Sequence, residues 1–284
     1  MYQLDHFQKQ HDFLICVDSD GCVMDTMNSK HFHCFGPCLV RTWDLNTWRA
    51  EILERWNQVN LYRTTRGTNR FRGLALALTE INAIYAPIPG LEGLQKWVDN
   101  AAELSNQALA NYIRSLCPGA EKECLQKALS WSESVNICID QLPQELKKPF
   151  AHAKTAMSEA HFFADVAVVS SANRSAVEEE WSKHGFAEFV DIMLTQDVGS
   201  KAHCIAEMLK FGYAKENVLM VGDAPGDCDA AEGCGVYFYP ILVGRETESW
   251  QEFQEIALGR LTGGTYGGEY QARKKQEFLQ NLSG

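Results

Sequence analysis

Two rhythms of apolar residues alternate along the chain. Short unbroken runs stand at residues 13–17, 166–169 and 218–221, and each is closed by aspartate, serine or glycine. A run of this kind, ended by a turn signal, predicts a strand buried on both faces. Residues 235–240, with Tyr237, Phe238 and Tyr239, predict a further strand. Elsewhere apolar residues recur at three- and four-residue spacing, which predicts helices over 48–56, 74–81, 94–104, 107–116 and 121–131. Helices are also expected over 150–163, from Val177 to the stop at Gly185, after Ser200, over 250–258 and over 269–282. Residues 142–149 read as a linker and 261–268, rich in glycine, as a loop. Few runs between residues 27 and 148 have strand character, so an all-helical segment is expected to interrupt an α/β domain made of residues 1–26 and 149–284.

The strand ends carry the chemistry. The first run stops at Asp18, with Asp20 two residues on and Gly21 after it. Side chains two apart on a strand leave the same face, so two carboxylates would meet at the mouth of a buried strand. Such a pair repels unless a divalent cation or a proton lies between its members. The second run ends in Ser170 and Ser171 before a helix, where free N–H groups and the helix dipole favour an anion. Lys201 follows Ser200, a fitting N-cap, and a cation in a first helical turn calls for an anionic neighbour. The run at 218–221 ends in Gly222 and Asp223, with Gly226 and Asp227 beyond, a spacing that lets both carboxylates face one cation. Each motif alone has a plainer account: a surface turn, a helix cap, a solvent-facing lysine. The ligand-binding edge of an open parallel sheet is the carboxyl end of its strands, and all of these groups stand there.

Taken together, Asp18, Asp20 with Gly21, Ser170, Lys201, and Gly222 with Asp223 and Asp227 resemble the motif set of the haloacid dehalogenase superfamily, in its magnesium-dependent phosphatase branch. The resemblance covers residues 8–26 and 160–245. It implies a Rossmann-like parallel sheet with helices on both faces, and makes the helical insertion a cap domain, residues 27–148, that excludes water and selects substrate. It implies Asp18 as nucleophile forming an aspartyl-phosphate and Asp20 as general acid and then base. It further implies Mg2+ held by Asp18, the Asp20 carbonyl, Asp223 and Asp227, with Ser170 and Lys201 contacting the phosphoryl group. Ser171 is the alternative to Ser170. The substrate class implied is a small phosphorylated metabolite. A phosphotransferase or mutase, a phosphonate hydrolase, and a non-catalytic binding module of the same fold are the alternatives. A Schiff-base phosphonate hydrolase needs a lysine in the insertion, and none of Lys30, Lys96, Lys122 or Lys127 stands in a marked context.

Composition narrows the partners. The net charge of −11 and the lack of any lysine- and arginine-rich block argue against nucleic acid. No apolar stretch approaches the ~20 residues that span a membrane. The first ten residues lack the apolar core of a signal peptide, and ten cysteines scattered through expected strands and helices fit a reducing cytoplasm. His31, His33, Cys34 and Cys38 crowd together, but loose spacing favours a helix with buried side chains, broken at Gly36 and Pro37, over a zinc site. Arg63, Arg66, Arg70 and Arg72 alternate with hydroxyls, Asn69 and two glycines in an otherwise acidic chain. Arg66, Asn69 and Arg70 are therefore expected to bind an anionic or polar leaving group; a solvated loop paired with Glu51, Glu54 and Glu80 is the alternative. Oligomeric state is not encoded legibly.

Overall fold

In the computed structural model, which describes residues 3–283, five strands form one parallel sheet: β1 (Phe13–Val17), β2 (Ala164–Val169), β3 (Ile192–Leu194), β4 (Val218–Gly222) and β5 (Tyr237–Pro240). Their spatial order is β3-β2-β1-β4-β5. The chain runs outward from β1 in one direction to β3 and then returns to build β4 and β5 on the other side. This reversal opens a crevice beyond the carboxyl ends of β1 and β4, where α/β sheets bind ligands. Register places Phe13 opposite Ala164 and Leu14 opposite Val218, so the first strand is held by neighbours from far along the chain.

Side-chain alternation on the strands assigns two faces. Ile15, Val17, Val166, Val168, Leu219 and Val221 pack with Ala156, Met157, Trp181, Trp250 and Phe253. Leu14, Cys16, Ala167, Val169, Val218 and Met220 pack with Ile205, Met208, Ala231 and Phe278. Helices thus cover both faces of the sheet, as the unbroken apolar strands require. The Ala153–Ala160 and Arg174–Lys183 helices lie on the first face, Lys201–Leu209 and Pro225–Cys234 on the second. At the amino edge the fully buried Asp165 carboxylate accepts from the Gln10 and His11 N–H groups (3.0 and 3.1 Å) and from the Tyr213 hydroxyl. Burial and this carboxylate both raise the Tyr213 phenol above its ordinary range.

The chain divides into two units, Met1–Met27 with Gln144–Gly284, and Asn28–Pro143. Among the described residues the second unit holds helices and no strand, with Arg49–Leu61, Arg70–Ile84, Leu91–Asn100, Asn106–Ser115 and Ala120–Asp140 as its longer members. Trp56, Phe71, Leu78, Leu94, Leu125 and Trp131 are buried in it.

Several expectations need correction. No strand was expected at Ile192–Leu194; three residues are too few to show a pattern, and pairing with β2 makes them a strand. The last long helix of the inserted unit runs nine residues past Trp131, because nothing in 132–140 supplies a stop signal. The helix before β2 is shorter than expected, starting only after His152, which is left-handed (φ 64°). Helix also extends into the expected loop after Leu261, to Thr262. Gly36 and Pro37 do not break their helix. Pro37 lacks an N–H and its ring crowds the carbonyl four residues back. A π turn over His31–Phe35, in which the Gly36 N–H reaches His31 O, takes up that misfit and the helix continues as Gly36–Thr42. His33 is exposed, and the His31 ring accepts from Trp56 Nε1 (3.0 Å) while stacking on Phe35. Among the described residues all ten cysteines are free, and the metal-sized grouping of ligand atoms lies elsewhere, among carboxylates.

Candidate active site

β1 is followed by Asp18, whose N–H donates to Val221 O (3.0 Å) and so continues the pairing of β1 with β4 beyond the last strand residue. Asp223 follows the end of β4, fully buried. The Pro225–Cys234 helix begins at once, and Asp227 in its first turn folds back to accept from the Ala224 N–H (3.0 Å), capping the helix from inside. Asp227 lies where a side chain on residue 222 would be, since an added Cβ there would sit 2.3 Å from its Cγ. Only glycine leaves that space. Gly226, by contrast, faces open space and has no such role. Ser200 caps the Lys201–Leu209 helix through the His203 N–H (3.2 Å), which fixes Lys201 at its start.

These placements converge. Lys201 Nζ lies 2.9 Å from Asp18 Oδ2 and 2.5 Å from Asp227 Oδ1. Carboxylate oxygens of Asp18, Asp223 and Asp227 all lie within 4.8 Å of one another, and all three residues are buried. Three carboxylates against one ammonium crowd a surplus of negative charge into a buried site. Burial raises the Asp18 carboxyl well above the ordinary carboxylate range; the Lys201 ammonium opposes this, while Asp227 and Asp223 add to it. Burial alone would lower the Lys201 amine, but Asp18 and Asp227 outweigh it and hold the amine above its usual range. Burial and the same carboxylates push the neighbouring Cys22 thiol far up. A donor set of hard oxygens with this charge surplus fits a divalent ion of the Mg2+ type.

Asp20 stands apart from that trio. Its carboxylate, half-buried, accepts from the Thr26 hydroxyl, across a turn closed by Gly21 (φ 83°). Ser170 is buried at the end of β2, donates its N–H to Leu194 O (3.0 Å) and accepts at Oγ from the Ala172 N–H (3.1 Å). Ser171 is exposed. The N-cap of the following helix is neither serine but Asn173, whose side chain accepts from the Ala176 N–H.

Arg66, Asn69 and Arg70 belong to the inserted unit, where each hydrogen-bonds to groups of that unit. Arg66 is buried and donates to Leu61 O (2.9 Å). Asn69 caps the Arg70–Ile84 helix through the Phe71 N–H (2.9 Å) and donates to Leu104 O (3.0 Å). Arg70 donates to the Ser132 hydroxyl (3.0 Å) and Asn136 Oδ1 (2.6 Å) and lies over the Phe35 ring. Glu80 pairs with Arg55 rather than with this segment. Sequence reasoning also missed Ser19, Thr26, Trp181 and Trp250 around the Asp20 turn; only the hydroxyl of Thr26, six residues after Asp20, left a local signal.

A family model described as haloacid dehalogenase-like hydrolase matches residues 92–241, more than half of the chain. The chain belongs to the haloacid dehalogenase-like hydrolases. The matched stretch contains Ser170, Lys201, Asp223 and Asp227, whereas Asp18 and Asp20 precede it, and Asp18 meets Lys201, Asp223 and Asp227 through the pairing of β1 with β4. No curated protein sequence matches. Among solved structures, a haloacid dehalogenase-like family hydrolase from Streptococcus pneumoniae is similar at 13% identity and TM-score 0.41, over 85% of this chain and 90% of that one. A haloacid dehalogenase-superfamily hydrolase, subfamily IA, from Geobacter sulfurreducens shares 16% identity at TM-score 0.39, over 82% and 88% of the two chains. A haloacid dehalogenase-like hydrolase from Xanthomonas campestris shares 12% at TM-score 0.40, over 81% and 83%. Likenesses at this level say nothing about substrate. Among the described residues no helix is long and apolar enough to cross a membrane.

Proposed function

We propose that this haloacid dehalogenase-like hydrolase is a magnesium-dependent phosphatase of a small phosphorylated metabolite. The observation that carries the proposal is the buried constellation of Asp18, Asp223 and Asp227 around Lys201, at the carboxyl ends of β1 and β4. Asp18, Asp223 and Asp227, with the Asp20 backbone carbonyl, would hold Mg2+, which when bound neutralises the surplus negative charge and lets an anionic phosphate approach an anionic nucleophile.

Asp18 attacks phosphorus, forming an aspartyl-phosphate as the bond to the leaving oxygen breaks. Asp20 gives its proton to that oxygen; an alkoxide leaves poorly without one. Asp20, now a carboxylate, takes a proton from water as the water attacks the phosphoryl group and frees Asp18. Lys201 keeps the Asp18 carboxylate oriented through its ion pair and offsets charge on the transferring group. Ser170 donates a hydroxyl hydrogen bond to a phosphoryl oxygen. Its own Oγ is already fixed by the Ala172 N–H, which supports Ser170 over the exposed Ser171 in this role.

The test is phosphate release from a panel of phosphate esters, with and without magnesium, for wild type and Asp18→Asn. Magnesium-dependent release that falls by about 10^3-fold or more in the variant is expected, the order of loss when a nucleophile is removed. Undiminished release by Asp18→Asn would sink the proposal.

A further inference from the structure

The turn that carries Asp20 is pinned from behind by two indoles. Trp181 Nε1 donates to Ser19 Oγ (2.9 Å), and Trp250 Nε1 donates to Cys22 O (2.9 Å). Ser19 and both tryptophans are fully buried. Ser19 O in turn accepts from the N–H groups of Val23 (3.0 Å) and Met24 (2.9 Å), so the residue is the knot of the turn. The strand rows explain its direction. Ile15 and Val17 pack in the same face cluster as Trp181, whereas Leu14 and Cys16 pack on the opposite face. Ser19 continues the row of Ile15 and Val17, and Asp18 the row of Leu14 and Cys16. The Trp181–Ser19 bond therefore anchors, from within a largely apolar layer, the backbone between the two aspartates.

We propose that Trp181 and Ser19 are a positioning pair that holds Asp20 where it can protonate the leaving oxygen. The proposal rests on the acid role given to Asp20 above. Trp181 reaches this turn from the Arg174–Lys183 helix, whose start follows Ser170, so the same helix that succeeds the phosphoryl-binding serine also sets the proton donor. A packing role alone would not require the N–H. A buried hydroxyl and a buried indole N–H on an apolar face are tolerated only because each satisfies the other, which ties the turn to one position. Misplacing a reacting group by about 1 Å can lower a rate about 100-fold.

The experiment compares wild type, Ser19→Ala, Trp181→Phe and the double variant on phosphate esters whose leaving groups range from alkyl alcohols to p-nitrophenol, in magnesium. Alkyl esters need the Asp20 proton, whereas p-nitrophenolate departs without it. The expected result is a kcat/KM lowered about 10- to 100-fold on alkyl esters with that of p-nitrophenyl phosphate little affected, since kcat/KM reports the step in which the leaving oxygen departs and not the later hydrolysis that all esters share. The plot of log kcat/KM against leaving-group pKa should therefore steepen. The double variant should be no worse than the poorer single, as befits two halves of one interaction. Ser19→Ala removes only the accepting oxygen, so it carries the test if Trp181→Phe fails to fold. Equal losses of kcat/KM on both ester types, or no loss, would overturn the positioning role while leaving the phosphatase proposal standing. A wild type that releases phosphate from no ester would remove the proposed reaction, and the positioning role with it.

Discussion

A methyl group placed on Gly222 would lie 2.3 Å from Cγ of Asp227, so that side chain would have to leave its place to make room. Gly222→Ala should therefore displace Asp227 from Lys201 while leaving the fold in place. Phosphate release is expected to fall about 100-fold, with an unaltered far-ultraviolet circular dichroism spectrum as the control. At the opposite edge, the Tyr213 hydroxyl supplies one of three donors to the buried Asp165 carboxylate. Tyr213→Phe should lower the unfolding free energy by about 1.5–3 kcal/mol in urea titration, the usual worth of a hydrogen bond to a charged group. The charged members of the site were legible residue by residue: Asp18 and Asp223 stand where apolar runs end, Lys201 follows the N-cap Ser200, and Asp227 lies four residues past Asp223. Ser19 and Trp181 were not. Their bond joins positions 162 residues apart, and neither member departs from the pattern of its own segment.

Elements were legible where the apolar rhythm is long or sharply ended. β1 has the bounds that its apolar run marks, and Ser200 announces the helix that bears Lys201. β3 was hidden by its length, and the π turn at His31–Phe35 by a proline that looks like a breaker from sequence alone. Close packing between elements is equally invisible in one dimension. Gly90, left-handed at φ 78°, caps the Leu91–Asn100 helix against the start of Ala120–Asp140, and a Cβ there would meet Ala120 O at 2.1 Å. Gly90→Ala should destabilise the inserted unit by about 3 kcal/mol, combining overpacking with left-handed strain, and thermal unfolding of the variant checks it. On the Glu269–Asn281 helix, buried Lys274 donates to Glu252 (2.7 Å). Burial would raise the Glu252 carboxyl, but hydrogen bonds from Lys274 and Tyr270 overcome it and hold it below the ordinary 4.5. A depressed carboxyl contributes stability above its unfolded value, and this is lost as pH falls through the folded one. The stability advantage of wild type over Lys274→Met should accordingly shrink as pH drops below 4.5.

At the scale of the molecule, all three carboxylates of the trio belong to the unit formed by Met1–Met27 and Gln144–Gly284, while Trp56, Trp97 and Trp131 lie in the other. A ligand that binds only the native state stabilises the unit that holds it. In calorimetry, magnesium at about 100 times its dissociation constant should add about 2.7 kcal/mol to that unit. The transition of the inserted unit should stay where it is, and Asp223→Ala should abolish the shift. The strand order has a separate consequence in time. Of the five strands β1 is made before the others yet stands in the middle of the sheet, and its partners begin at Ala164 and Val218. A chain emerging from the ribosome completes residues 28–143 before either partner exists. Throughout that interval β1 presents two unpaired edges, the condition under which nascent strands stick to one another. A chain stalled near residue 200 would carry Asp18 without Lys201, Asp223 or Asp227, so the site cannot assemble until residues 201–227 have been made.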